Sequence, residues 1–264
     1  MDAAPPMRPS PHPTVCVRVP LMHQSWTTFT FLHWAYRPKA VRPLVPPWLE
    51  LDTFEGRAWI TLAAFSIEGV RPPGVAPIWP AQTPEVNLRT YVVGPDGRAG
   101  AYTLSLDIGS LPAAVAGRYL FQLPYRWAEA ETVPSDTGVS YRGRRRWGGP
   151  PARWDVAVRP GGATRADEPL ATFLTGRWLL FTRYGARVAV IPAEHGPWPL
   201  HEAHLERLDQ DLLRVAGLRD PKDEPVVHFS PGVRARLGFP AQTARLTEAD
   251  DARSSRSRLR HRRV

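Results

Sequence analysis

Thirty prolines are spread along this 264-residue chain. Each fixes φ, removes an amide donor and interrupts a helix interior, while turns, loops and strand ends tolerate it. A chain punctuated this way is steered toward strands with short connections. The apolar pattern agrees. Residues 26–36, 58–68, 85–93, 100–107, 138–141, 153–158, 178–183, 186–191 and 226–229 read as strands, and Gly94-Pro95-Asp96-Gly97 is a hairpin-type turn between two of them. Residues 40–44 read as a short helix, and residues 111–121, Ala-rich with Pro112 near the start, as a longer one. Residues 200–216 carry Leu205, Leu208, Leu212 and Leu213 at helical spacing and read as an amphipathic helix ended by Gly217. Residues 70–80 form a Pro-rich loop long enough for a lid. The expected fold class is mainly β (α+β): a curved, mostly antiparallel sheet or barrel around an interior cavity, with a few flanking helices.

Three segments are expected: a disordered Pro-rich leader over residues 1–22, a single domain over 23–242, and a disordered Arg-rich tail over 243–264, order decaying after Pro240. Hydrophobic residues make up 43% of the chain, enough for a sizeable core. The net charge of +9 is unevenly spread, with Arg crowded into the tail and into a cluster of Arg142, Arg144, Arg145 and Arg146 that reads as a solvated hairpin. The alternative for these basic residues is non-specific contact with nucleic acid or another anionic surface. No zinc-finger spacing or helix-turn-helix pattern supports a dedicated nucleic-acid partner. The single cysteine, Cys16, excludes an internal disulfide, and no apolar run reaches membrane-spanning length. The expectation is a cytoplasmic protein with no membrane partner.

Alternation places Glu85, Asn87, Arg89 and Tyr91 on one strand face. Such a face is either solvent-exposed or the wall of a polar pocket, in which Glu85 acts as acid or base and Arg89 grips a carboxylate. The next strand supplies Tyr102, Ser105 and Asp107, and Arg118 follows on a helix, as a pocket residue or in a structural ion pair with Glu85 or Asp107. His33 lies in an apolar strand, as a core histidine or a ligand contact. His201 and His204 have the i, i+3 spacing of a helical metal pair, a weak signal in a Trp- and Pro-rich corner, and no metal is assigned. There is no nucleophile elbow, phosphate loop or dinucleotide fingerprint, and no cofactor is assigned.

Several segments carry a resemblance. Leu44-Val45-Pro46-Pro47-Trp48-Leu49, Pro84-Glu85-Val86-Asn87-Leu88-Arg89-Thr90-Tyr91-Val92 and His195-Gly196-Pro197-Trp198-Pro199-Leu200-His201 resemble the YqjF-like family, DUF2071, over about residues 24–240. More widely, Glu85, Gly117-Arg118 and Pro124-Tyr125-Arg126 resemble the active-site segments of the acetoacetate decarboxylase-like superfamily. That resemblance implies a β-rich cone with an interior cavity. It also places Tyr125 where those decarboxylases carry the imine-forming lysine, and Arg126 where they carry a second lysine. A phenol forms no imine, and neither Lys39 nor Lys222 is placed to replace the missing amine.

The expected function is that of a small-molecule enzyme acting on a carbonyl or carboxylate compound without an imine: a dehydratase, isomerase, aldolase or cyclase. Glu85 and Tyr125 are the candidate catalytic residues, with Asn87, Arg89, Arg118, Arg126, Tyr102 and His33 binding substrate. An arginine beside Tyr125 is expected to lower its pKa and help it shuttle protons. The alternatives are a small-molecule-binding protein without turnover and a basic-surface interaction protein. Relatives of this fold often assemble, so a homo-oligomer is open.

Overall fold

A computed structural model describes residues 8–77, 82–164, 167–184 and 187–245. The strands are β1 (Met22–Tyr36), β2 (Glu50–Leu51), β3 (Thr53–Phe54), β4 (Arg57–Arg71), β5 (Thr83–Val93), β6 (Ala99–Ile108), β7 (Tyr125–Pro134), β8 (Val139–Trp147), β9 (Arg153–Ala163), β10 (Leu179–Tyr184), β11 (Arg187–His195), β12 (His201–Gln210), β13 (Val226–Leu237) and β14 (Ala241–Arg245). The helices are short: α1 (Pro38–Val41), α2 (Leu111–Leu120), α3 (Pro169–Thr175) and α4 (Leu212–Val215).

All strands join one sheet, ordered β14-β11-β10-β6-β7-β8-β9-β12-β13-β1-β4-β5-β2, with β3 on β4. Further pairings β5–β6 and β11–β13 turn this path back on itself, so the strands form a ring. Most pairings are antiparallel, but β6 runs parallel to both β7 and β10. The ring is therefore mixed. The β6–β7 crossover is made by α2, as a parallel connection requires more chain than a hairpin.

Alternation along β1, β4 and β5 divides the interior. Leu32, Trp34, Ile60, Leu62, Val86 and Leu88 face one large aliphatic core shared with β8 and β9. Phe29, Phe31, Ala63 and Phe65 face the other side, where Ile108, Ala114 of α2, Ala171 of α3 and Trp198 close over them.

Three expectations change. Residues 201–210 form β12, not a helix; only Leu212–Val215 is helical. The β9–β12 register shifts between Leu205 and Arg207, so Leu205 and Leu208 both reach the core from one strand. That bulge reproduces helical spacing. In the leader, residues 8–21 make fixed contacts: the Ser10 carbonyl accepts from Trp178 Nε1 at 3.0 Å, and the buried Val17 donates its amide to Glu194 at 2.5 Å. Past Pro240, β14 extends the sheet beside β11. Residues 1–7 of the expected leader, positions 78–80 of the expected lid loop and the tail beyond residue 245 lie outside the described residues. Among the described residues, no helix is long and apolar enough to cross a membrane.

The arginine cluster of β8 is only partly solvated. Arg142, Arg144 and Arg146 pair with Asp155, Glu131 and Glu129 at the surface. Arg145 points inward and forms a two-pronged pair with Asp107, Nε to Oδ1 at 2.6 Å and Nη2 to Oδ2 at 2.9 Å, both side chains essentially inaccessible.

Candidate active site

The strand face read from Glu85, Asn87, Arg89 and Tyr91 points into the interior rather than to solvent. Cross-strand register sets its rows. His33, Thr61, Arg89 and Thr103 lie side by side across β1, β4, β5 and β6. The next row is Phe31, Ala63, Asn87 and Leu106, and the third brings Phe65, Glu85 and Ile108 together.

Glu85 is only 3% exposed. Its Oε2 accepts from the Tyr125 hydroxyl at 3.3 Å, and its Oε1 from Asn87 Nδ2 at 3.3 Å. Burial pushes the carboxyl up to about 7, with Asp107 adding to the rise, while the two hydrogen bonds and Arg89 oppose it. Burial is the larger effect because both bonds are long and, among the described residues, no guanidinium pairs with the carboxylate. Tyr125 moves the other way from the sequence expectation. Burial first, and the Glu85 carboxylate second, raise its pKa well above the ordinary phenol range. The phenol therefore stays protonated and is a donor, not a proton shuttle.

Local structure explains how Tyr125 gets there. Ser110 caps α2 by accepting from the Ala113 amide at 3.3 Å, and Pro112 occupies its first turn. The helix ends in a turn through Gln122 at φ 51°, and the chain reverses into β7. The Tyr125 ring then lies directly on Gly117, where an added Cβ would sit 2.2 Å from Cδ2. Gly117→Ala is expected to push the ring off Glu85 and cost about 1–3 kcal/mol in chemical denaturation, the usual penalty for overpacking. An unchanged stability would show that the ring has room. Arg118 supports the same turn: its Nη1 donates to the Tyr125 carbonyl at 3.1 Å and the Gly148 carbonyl at 3.3 Å, and it lies over Trp147. It pairs with neither Glu85 nor Asp107, correcting the ion-pair expectation.

Arg89 lies over the Phe31 ring at 5.4 Å, and its buried Nε has no hydrogen-bond partner. Asn87 Oδ1, Thr103 Oγ1 and His33 Nε2 are likewise buried without partners. Orphaned polar atoms gathered on one interior face are uncommon in a finished core. His33 is fully buried and its Nδ1 bonds Thr61 Oγ1 at 2.7 Å; burial holds it neutral, far below its usual pKa. Thr61 in turn bonds the Tyr91 hydroxyl at 2.5 Å, which donates to the Leu174 carbonyl at 2.7 Å. Tyr91 is thus tied up in structure. Sequence reasoning missed this chain and gave no role to His195, which stands against Trp26, Trp178 and Trp198 and is lowered to about 4 by burial. Its position in a Gly- and Pro-rich corner gave no periodic signal.

The structure does not bring all the expected residues together. Tyr125 and Arg126 are consecutive on β7, so their side chains leave opposite faces. Arg126 stands in register with Asp107, on the far side of the sheet from Glu85. Tyr102, in register with Thr90, packs edge-on against Trp48 on that far side as well. Arg118, Arg126 and Tyr102 line a cleft of about 1120 Å³ that Glu85 does not line. The expected residues therefore fall on two faces of the sheet rather than one. The His201 and His204 pairing lapses with the helix it assumed, and among the described residues no cluster of three or more His, Cys, Asp or Glu is placed to hold a metal.

Comparison with known proteins agrees with this architecture. The sequence profile of DUF2071, described as "Uncharacterized conserved protein", matches residues 23–234. YqjF of Bacillus subtilis is 32% identical over 213 residues, covering 80% of this chain and 87% of that protein. Among solved structures, the enduracididine biosynthesis enzyme MppR complexed with pyruvate superposes with a TM-score of 0.57 at 16% identity, covering 88% of this chain and 93% of that one. Acetoacetate decarboxylase from Legionella pneumophila gives 0.57 at 14% identity, covering 90% and 92%. At such identities the structures speak to fold alone. The chain belongs to the DUF2071 family and carries an acetoacetate decarboxylase-like fold.

Proposed function

We propose that this protein is an enzyme acting on a small carbonyl or carboxylate compound by general acid/base chemistry at Glu85, without an imine-forming lysine. The observation that carries the reading is the buried Glu85 carboxyl, raised to about 7 and held between Tyr125 and Asn87. A group that is half ionised near neutral pH can both take and return a proton. In the common first step, the Glu85 carboxylate removes a proton from the carbon beside a carbonyl. The C–H electron pair becomes the enolate double bond, and the carbonyl π pair moves to oxygen. The protonated Tyr125 hydroxyl donates to that oxygen as charge develops. Arg89, with its unpartnered Nε, holds the substrate carboxylate.

Both lysines, Lys39 and Lys222, are exposed, which supports chemistry that proceeds without an amine. The MppR structures hold pyruvate and a condensation product of pyruvate with imidazole 4-carboxaldehyde, which makes small 2-oxo acids the first substrate class to try. Dehydration, isomerisation and cyclisation can begin with the enolisation described; in retro-aldol cleavage Glu85 instead takes the proton of the β-hydroxyl, and the same enolate forms as the C–C bond breaks.

The test incubates purified protein with a panel of 2-oxo and 3-oxo acids and follows bound and converted compounds by mass spectrometry. Conversion by the wild type should fall about 100- to 10,000-fold in Glu85→Gln and about 100- to 1,000-fold in Tyr125→Phe. A compound that binds and returns unchanged makes this a binding protein. Variants that convert as fast as the wild type remove Glu85 and Tyr125 from the chemistry.

A further inference from the structure

The cleft behind the Glu85 face has its own chemistry. One end is basic: Arg126, with Arg118 and Arg145 close by. Asp107 is the carboxylate nearest Arg126 in register, yet both of its oxygens are occupied by Arg145. Arg118 is committed to two backbone carbonyls. The Arg126 side chain makes no hydrogen bond and no ion pair among the described residues, Asp107 acting on it only through its charge, and the Gly148–Gly149 turn packs against it and limits where the guanidinium can point. Elsewhere the lining is mixed: Leu44, Trp48, Phe181 and Leu212 supply apolar wall, and Gln122 and Arg183 polar wall.

We infer that this cleft is a second ligand site, separate from Glu85, that takes an amphipathic carboxylate: the anion meets Arg126, and the hydrocarbon body lies against Trp48, Phe181 and Leu212. A partly buried cation repelled by two like charges gains more from an incoming anion than a solvated surface arginine does. Burial and Arg145 already hold its pKa down to about 10, which leaves it charged at neutral pH. The volume of about 1120 Å³ also suits a body larger than a short oxo acid.

Calorimetric titration of the full chain with octanoate and with 1-octanol, the same hydrocarbon without charge, tests this. Octanoate should bind roughly tenfold tighter or better, and Arg126→Gln should erase that preference while Arg126→Lys keeps most of it. Glu85→Gln should leave octanoate binding unchanged. In the wild type, phenylglyoxal should label Arg126, and octanoate should protect it, as read by peptide mass spectrometry; this arm decides the matter if Arg126→Gln does not fold. No heat with millimolar octanoate, equal affinity for the alcohol, or absence of protection overturns the site. Binding lost in Glu85→Gln but kept in Arg126→Gln places the ligand on the other face and overturns it too.

Discussion

Asp107→Ala is expected to destabilise this protein by about 3–5 kcal/mol, measured by chemical denaturation at neutral pH. Its carboxylate and the Arg145 guanidinium are both shut away from solvent and joined by two short hydrogen bonds. Removing the acid leaves an arginine charge buried beside Arg126, with the Pro150 carbonyl at 2.8 Å as its one remaining acceptor among the described residues. Most of the loss is the cost of that uncompensated charge, not the intrinsic strength of the pair. The double variant Asp107→Leu/Arg145→Met should therefore recover most of it, since two apolar groups of similar size carry no desolvation penalty. The surface pairs of Arg142, Arg144 and Arg146 should each contribute less than about 1 kcal/mol. A loss below about 1 kcal/mol for Asp107→Ala would show that Arg145 reaches solvent.

Glu85→Gln should make the folded protein more stable at alkaline pH while removing the proposed activity. The folded pKa of Glu85, about 7, lies above the ordinary 4.5. Below pH 4.5 the carboxyl is neutral whether the chain is folded or unfolded, and the variant and wild type should match. Between 4.5 and 7 the unfolded chain ionises and the folded one resists, so the wild type loses stability as pH rises. Above 7 the loss is complete, and Glu85→Gln should exceed the wild type by up to about 3 kcal/mol. A group that weakens the fold at the pH where it would act is better explained by chemistry than by packing. Equal stability of the two proteins across the whole range would mean that the carboxyl is not perturbed.

Alternation made much of this legible in the sequence. It placed Glu85, Asn87, Arg89 and Tyr91 on one face, and burial turned that face inward. The contact between Glu85 and Tyr125 spans 40 residues, and no local pattern encodes it; only the resemblance of the flanking motifs pointed there. Grouping Tyr125 with Arg126 failed for a simple reason, since neighbours on a strand face opposite sides. Arg145 was hidden among arginines that do face solvent, and its partner lies 38 residues away. The β12 segment misled because a bulge between Leu205 and Arg207 restores both leucines to the same face, and three-residue spacing then looks helical.

The most direct measurement of the central claim is a pH titration of the glutamate side-chain carboxyls by ¹³C NMR, with Glu85 assigned by its absence in Glu85→Gln. A resonance with a midpoint near 7, shifted upward in Asn87→Ala as the hydrogen bond that opposes the rise is lost, would show a buried acid poised for proton transfer. A midpoint in the ordinary range near 4.5 would leave Glu85 fully ionised at neutral pH and contradict the proposed chemistry.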